Sequence, residues 1–166
     1  MSVWLEPAHQ SRKTHFVLAG AKQSSRILVG HRDHHRRAVL ARTLTADGYR
    51  VRAARDGDTL LEWIADDMLE EDPHQPQLII VEIDLPGRRG IDLLADLRAV
   101  GWETPFVLLA GRRSRLVEKA RRFTRTIVFE EPYELYDLRT AVSVLVSQRS
   151  AGPGRRRSWA AARSVS

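Results

Sequence analysis

From Arg26 onward, short apolar runs alternate with longer stretches whose apolar residues recur at helical spacing. "RILVG" (26–30) predicts a strand, and "HHRRAVLARTLTADGY" (34–49) places Val39, Leu40 and Leu44 along one helical stripe, with Asp33 as N-cap and Gly48 as stop. "YRVRAA" (49–54) alternates with period two, the pattern of a strand covered on one side. A helix from about Asp58 carries Leu60, Leu61, Ile64 and Leu69 towards Pro73. "QLIIVEI" (77–83) is continuously apolar, as central parallel strands are. The pattern then predicts a helix at 90–100, a strand at 105–110, a helix at 114–123, a strand at 126–130 and a helix at 133–148. Five strand–helix units in succession predict an α/β fold, a doubly wound five-stranded parallel sheet, because parallel neighbours need crossover connections. Ligand crevices in such sheets lie beyond the carboxyl ends of the strands. The positions that matter are therefore 30–33, 82–90, 110–113 and 130–133.

Composition narrows the picture. The 166 residues suit one domain with tails, and the absence of cysteine excludes disulfides, thiolate metal sites and thiol catalysis. No run approaches the ~20 apolar residues of a membrane helix, so membrane insertion is not expected. With no export signal in the sequence, the cytoplasm is the expected location. Net charge is +6, distributed as +5 on residues 147–166, +2 on residues 1–25 and −1 on the stretch between. Three segments follow: an N-terminal extension at 1–25, expected to be flexible; a domain at 26–148; and a basic tail at 149–166, expected to be disordered.

Candidate chemistry centres on "LIIVEIDLPGRRG" (78–90), an apolar strand ending in the carboxylate of Glu82. "HRDHH" (31–35) suggests a metal site with His31, Asp33, His34 and His35. Successive helical positions fan around the axis, however, so solvated surface is the better expectation. Asp33 and Asp84 are a weaker candidate for a metal pair. Arg88, Arg89, Arg112, Arg113 and Arg115 lie in loops that should ring the crevice, where they would meet an anionic ligand, an acidic partner or only solvent. Arg155, Arg156 and Arg157 in the tail would give weak, salt-dependent nucleic-acid binding, since no base-reading module follows them.

The sequence resembles the response-regulator receiver domain, the phosphorylation switch of bacterial two-component signalling, over roughly 26–147. The resemblance is carried by "RILVG" (26–30), "ADGYRVRAARDGDTLLEWI" (46–64), "LIIVEIDLPGRRGIDLLADLR" (78–98), "TPFVLLAG" (104–111) and "EEPYEL" (130–135). It implies a flavodoxin-like fold and a pocket of five chemical positions, each of which is altered here. The acidic pair that helps hold Mg²⁺ falls on His31 and Arg32, and the phosphoacceptor aspartate falls on Glu82. The hydroxyl residue falls on Ala110, the lysine on Glu131, and the aromatic switch residue on Val128.

Each change works against phosphoryl transfer. Mg²⁺ needs hard oxygen ligands, and an arginine with an imidazole repels it. Without the ion, little neutralises the charge that develops in transfer. The extra methylene of Glu82 moves its carboxylate out of line. Ala110 has no donor, and Glu131 is an anion where a cation is needed. The alternative to a repurposed pocket is random decay of an unused one. Against decay, the substitutions are charge-complementary, and Arg32 is expected to pair with Glu82, Glu131 or both. The resulting expectation is a non-enzymatic, cofactor-free pseudo-receiver that binds a signalling protein. By resemblance, contact or homodimerisation would use the fourth helix, fifth strand and fifth helix. The rivals are a phosphorylatable switch and a nucleic-acid-binding accessory acting through the tail.

Overall fold

The computed structural model describes residues 25–69 and 75–151. Residues 1–24 of the N-terminal extension and the arginines of the tail, Arg155, Arg156 and Arg157, lie outside the described residues. Five strands and five helices alternate: β1 (Arg26–Gly30), α1 (His34–Ala46), β2 (Arg50–Ala54), α2 (Gly57–Leu69), β3 (Leu78–Glu82), α3 (Gly90–Ala99), β4 (Phe106–Ala110), α4 (Val117–Ala120), β5 (Thr126–Glu130) and α5 (Leu135–Ala151). All neighbouring strands pair in parallel, in the order β2-β1-β3-β4-β5, as a doubly wound sheet requires.

Successive strand residues point to opposite faces, and two cores result. Ile27, Val29, Leu78, Ile80, Val107 and Leu109 pack beneath α1 and α5 with Leu40, Leu44, Leu138 and Val142. Leu28, Ile79, Val81, Phe106 and Leu108 pack beneath α2, α3 and α4 with Leu60, Ile64, Leu94, Leu97 and Val117. The central strands are buried on both sides, which explains their unbroken apolar sequence.

Two departures from the expected pattern have physical causes. The alternation of β2 predicts a wet face, yet Arg52 is buried. Its guanidinium lies 3.7 Å over the Trp63 ring, drawn also by Asp67. The fourth helix is far shorter than its spacing predicts, only Val117–Ala120, with turns in place of its outer residues. Arg113 (φ 62°) and Arg125 (φ 54°) stand in the left-handed region on either side of it. At the opposite pole from the strand ends, Arg149 of α5 donates to Thr104 Oγ1 (2.8 Å), Pro76 O (3.3 Å) and Gln75 Oε1 (3.1 Å).

Candidate functional site

The carboxyl ends of β1, β3, β4 and β5 bring His31, Arg32, Glu82, Ala110 and Glu131 to one pole of the sheet. His31 continues the β1–β2 ladder by one residue, its N–H donating to Ala54 O at 3.1 Å. That residue is therefore buried at 3% exposure, whereas His34 and His35 are exposed as expected of a solvated helix face. Its Nδ1 accepts from the Asp33 N–H at 3.0 Å, so the neutral ring carries its proton on Nε2. Burial pushes the His31 pKa down, outweighing the Glu82 carboxylate 3.8 Å away.

This sets the sign of a pH effect. Above about 6.5, the ordinary histidine value, His31 is neutral in both folded and unfolded chains. As pH falls below that, the unfolded chain takes up the proton first, and the fold loses stability until its own lower pKa is passed. Denaturant titrations at pH 7.5 and pH 5.5 should show a loss of stability that His31→Asn makes shallower. An unchanged loss in the variant would acquit the histidine.

Glu82 ends β3, and both of its oxygens are engaged by one residue. Arg32 Nε lies 2.8 Å from Oε1, and the Arg32 backbone N–H donates to Oε2 at 2.9 Å. The same guanidinium donates through Nη2 to the Asp84 carbonyl, which ties the β3–α3 loop to the end of β1. Arg37 reaches back from α1 to the carbonyls of His31 (2.7 Å) and Arg32 (3.2 Å).

Of the two carboxylates open to Arg32, the structure gives it Glu82, and Glu131 pairs with Arg36 instead. Arg36 was not among the sequence candidates. Its signal was present in the spacing, since it follows Arg32 by four residues and lies in the first turn of α1. Two cations thus neutralise two carboxylates, one pair at β3 and the other at β5. Ala110 is fully buried, its carbonyl accepting from the Glu131 N–H at 2.9 Å, and the Glu131–Pro132 bond is cis. Val128 sits opposite Leu108 and packs on the α2–α3–α4 core.

These residues do not fit a divalent cation. Glu82 is committed to Arg32, and two basic side chains stand where oxygen ligands would be needed. Asp33 is spent on the N-cap of α1, its Oδ1 accepting from the Arg36 N–H at 2.7 Å, and that bond lowers its pKa. That bond commits one Asp33 oxygen to the helix terminus. Among the described residues, no cluster of three or more histidine and acidic side chains is placed to hold a metal. The loop arginines divide into two groups. Arg88 pairs with Asp96 and Arg89 with Asp92, so both are held by α3. Arg112, Arg113 and Arg115 are exposed.

Comparison with known proteins places this geometry. The family model of the response regulator receiver domain matches residues 27–142. Response regulator MprA of Mycobacterium ulcerans is 34% identical over 91 residues, covering 55% of this chain and 36% of its own. Transcriptional regulatory protein PdtaR of Mycobacterium tuberculosis is 29% identical over 131 residues, covering 78% of this chain and 60% of its own. The chain therefore spans less than two thirds of either relative. Among solved structures, the signal receiver domain of an HD domain-containing protein from Pseudomonas fluorescens Pf-5 superposes with a TM-score of 0.66 at 22% identity, covering 77% of this chain and 98% of that one. A receiver domain protein from Clostridium thermocellum superposes with a TM-score of 0.64 at 16% identity, covering 76% and 97%. With the five-stranded order and a family match over residues 27–142, this chain belongs to the response regulator receiver domain family.

Proposed function

We propose that this receiver domain works without phosphorylation, as a protein-interaction module in signal transduction. The observation that carries the reading is the engagement of both Glu82 oxygens by Arg32. A carboxylate paired with an arginine is a poor nucleophile, and the same guanidinium occupies the approach a metal would need. Ala110 offers a developing phosphoryl group no hydroxyl, and Glu131, even paired with Arg36, offers no lysine. Ala110 and Val128 also lack the hydroxyl and aromatic groups through which a usual receiver transmits a modification. The domain accordingly holds one binding-competent conformation, and regulation lies in its abundance or its partner.

The surface built from α4, β5 and α5 is the contact face in this reading. Ile127 and Val144 are exposed there at 36% and 49%, and Arg121 bridges Glu118 (2.9 Å) and Glu130 (2.7 Å) across it. Incubation with acetyl phosphate and Mg²⁺ followed by intact-mass measurement should show no phosphoryl adduct. Partners captured from the native cell should bind Glu82→Gln within about twofold of wild type, far from the tenfold that 1.4 kcal/mol would produce. A stoichiometric adduct on Glu82 or Asp84 would overturn the proposal.

A further inference from the structure

The near-neutral sum of the domain conceals a separation of charge. Residues 111–125, "GRRSRLVEKARRFTR", hold seven cations against Glu118 alone, a net charge of +6. Since residues 26–146 sum to −1, the remainder of the domain carries −7. Much of that sits on α2 and its approach, where residues 56–69 hold Asp56, Asp58, Glu62, Asp66 and Asp67 and no cation.

The fold puts these two groups at opposite sides of one surface. The helices α2, α3 and α4 cover the same sheet face, with α2 over β1 and β2, α3 over β4, and α4 beside β5. Lys119 on α4 and Arg115 and Arg122 on the turns that flank it are exposed, and none pairs with an acid among the described residues. Lys119 is near enough to Asp92 of α3 to help lower its pKa, after the Arg89 hydrogen bond, so this cation lies towards α3. Glu62 and Asp66 are exposed one turn apart on α2 and are likewise without an ion pair among the described residues.

Apolar exposure lies on the same surface. Leu61 (38%) and Leu69 (80%) are two turns apart on α2, and Val100 (71%) caps α3. They are three of the six large apolar side chains most exposed among the described residues. A surface with acids and two leucines on α2, cations at α4 and Val100 at the end of α3 between them is complementary to itself. A two-fold axis parallel to α3 lays α2 of one copy, with Leu61 and Leu69, over α4 of its partner, twice, and brings the two Val100 side chains towards one another.

We infer that the α2–α3–α4 surface is a homodimer interface, whose occupant is a second copy of this chain. This inference goes beyond the proposed function and does not rest on it: the dimer would cover α4 of the contact face and leave β5 and α5 for another partner. A nucleic acid fits less well. Its phosphates would meet the cations of α4 but be repelled by α2, and they give Leu69 and Val100 nothing to pack against.

Sedimentation velocity of the full chain tests the inference. Dimer should form at low ionic strength, and raising salt from about 0.02 M to about 0.5 M should weaken it at least tenfold as the Debye length contracts. Arg115→Glu with Arg122→Glu, and separately Glu62→Lys with Asp66→Lys, should each give monomers. An equimolar mixture of the two variants should restore a heterodimer, because both contacts regain opposite charge. Circular dichroism establishes that each variant is folded. Should a double variant fail to fold, Leu69→Ser serves instead, and at its exposed site it should weaken dimerisation at least tenfold. A wild type that stays monomeric at low salt overturns the inference. So does a mixture that fails to associate, or a Leu69→Ser chain that dimerises like wild type. Binding of a duplex oligonucleotide that the α4 reversal abolishes, in a chain that never dimerises, would assign the cations to nucleic acid instead.

Discussion

Arg32→Ala should lower the unfolding free energy by about 1–3 kcal/mol, read from chemical denaturation at neutral pH. A buried pair would cost more when broken, about 3–5 kcal/mol, because the remaining charge has no solvent. Here the Glu82 side chain is 17% exposed and Arg32 is 50% exposed, so water recovers part of the loss. The Arg32 backbone N–H stays bonded to Glu82, which limits the cost further. What cannot be recovered is the tie to the Asp84 carbonyl, so amide exchange should quicken at 84–89 in the variant. Arg32→Lys should restore only part of the stability, since an ammonium cannot hold the carboxylate and the carbonyl in the same planar fork. A change below about 0.5 kcal/mol in Arg32→Ala, the range of ordinary surface substitutions, would mean the ion pair is incidental.

Gly57→Ala should cost about 3 kcal/mol, at the upper end of overpacking, although alanine favours helices. A Cβ on Gly57 would stand 1.7 Å from the Arg88 carbonyl oxygen, a backbone atom that no side-chain rotation can move away. The N–H of the same residue donates to Pro86 O at 2.9 Å. The start of α2 and the β3–α3 loop therefore lie backbone to backbone, and only glycine allows it. Two controls separate this effect from glycine loss in general. Gly101 has φ +77° with nothing within 4 Å of an added Cβ, so alanine there should cost about 1 kcal/mol from backbone strain alone. At Gly111, where nothing lies within 4 Å either and no positive φ is required, alanine should stay within about 0.5 kcal/mol. Thermal or denaturant unfolding of the three variants ranks them, and a Gly57→Ala no worse than Gly101→Ala would contradict the close approach.

Much of the fold was legible because apolar periodicity and crossover connections are local facts with global consequences. The strands at 26–30, 78–82, 106–110 and 126–130 fall within a residue of the pattern, and Asp33 caps α1 as its position suggested. The fourth helix was misjudged because Leu116, Val117, Ala120 and Phe123 keep helical spacing while the surrounding cations, repelling one another, weaken the helix they would share. Glu82 and Arg32 were legible as partners from charge exchange at known positions. The allocation of Glu131 to Arg36 was not, since choosing between two arginines a turn apart depends on the direction in which α1 leaves the sheet. Arg52 was unreadable for a related reason. Its burial depends on Trp63 and Asp67, which reach it only after α2 has packed.

The anchoring of Arg149 has a practical meaning for anyone attaching something to this protein. A helix of the 17 residues of α5 is roughly 25 Å long, and it runs from the Glu82 pole down to Thr104 and Pro76 at the other end of the sheet. A fluorophore, affinity handle or fused domain placed after residue 151 is therefore launched from the far pole. Such a label leaves the carboxylate pole unobstructed for mass labelling and titration experiments. A probe at the β4–α4 turn, by contrast, sits beside Ala110 and perturbs the region it is meant to observe.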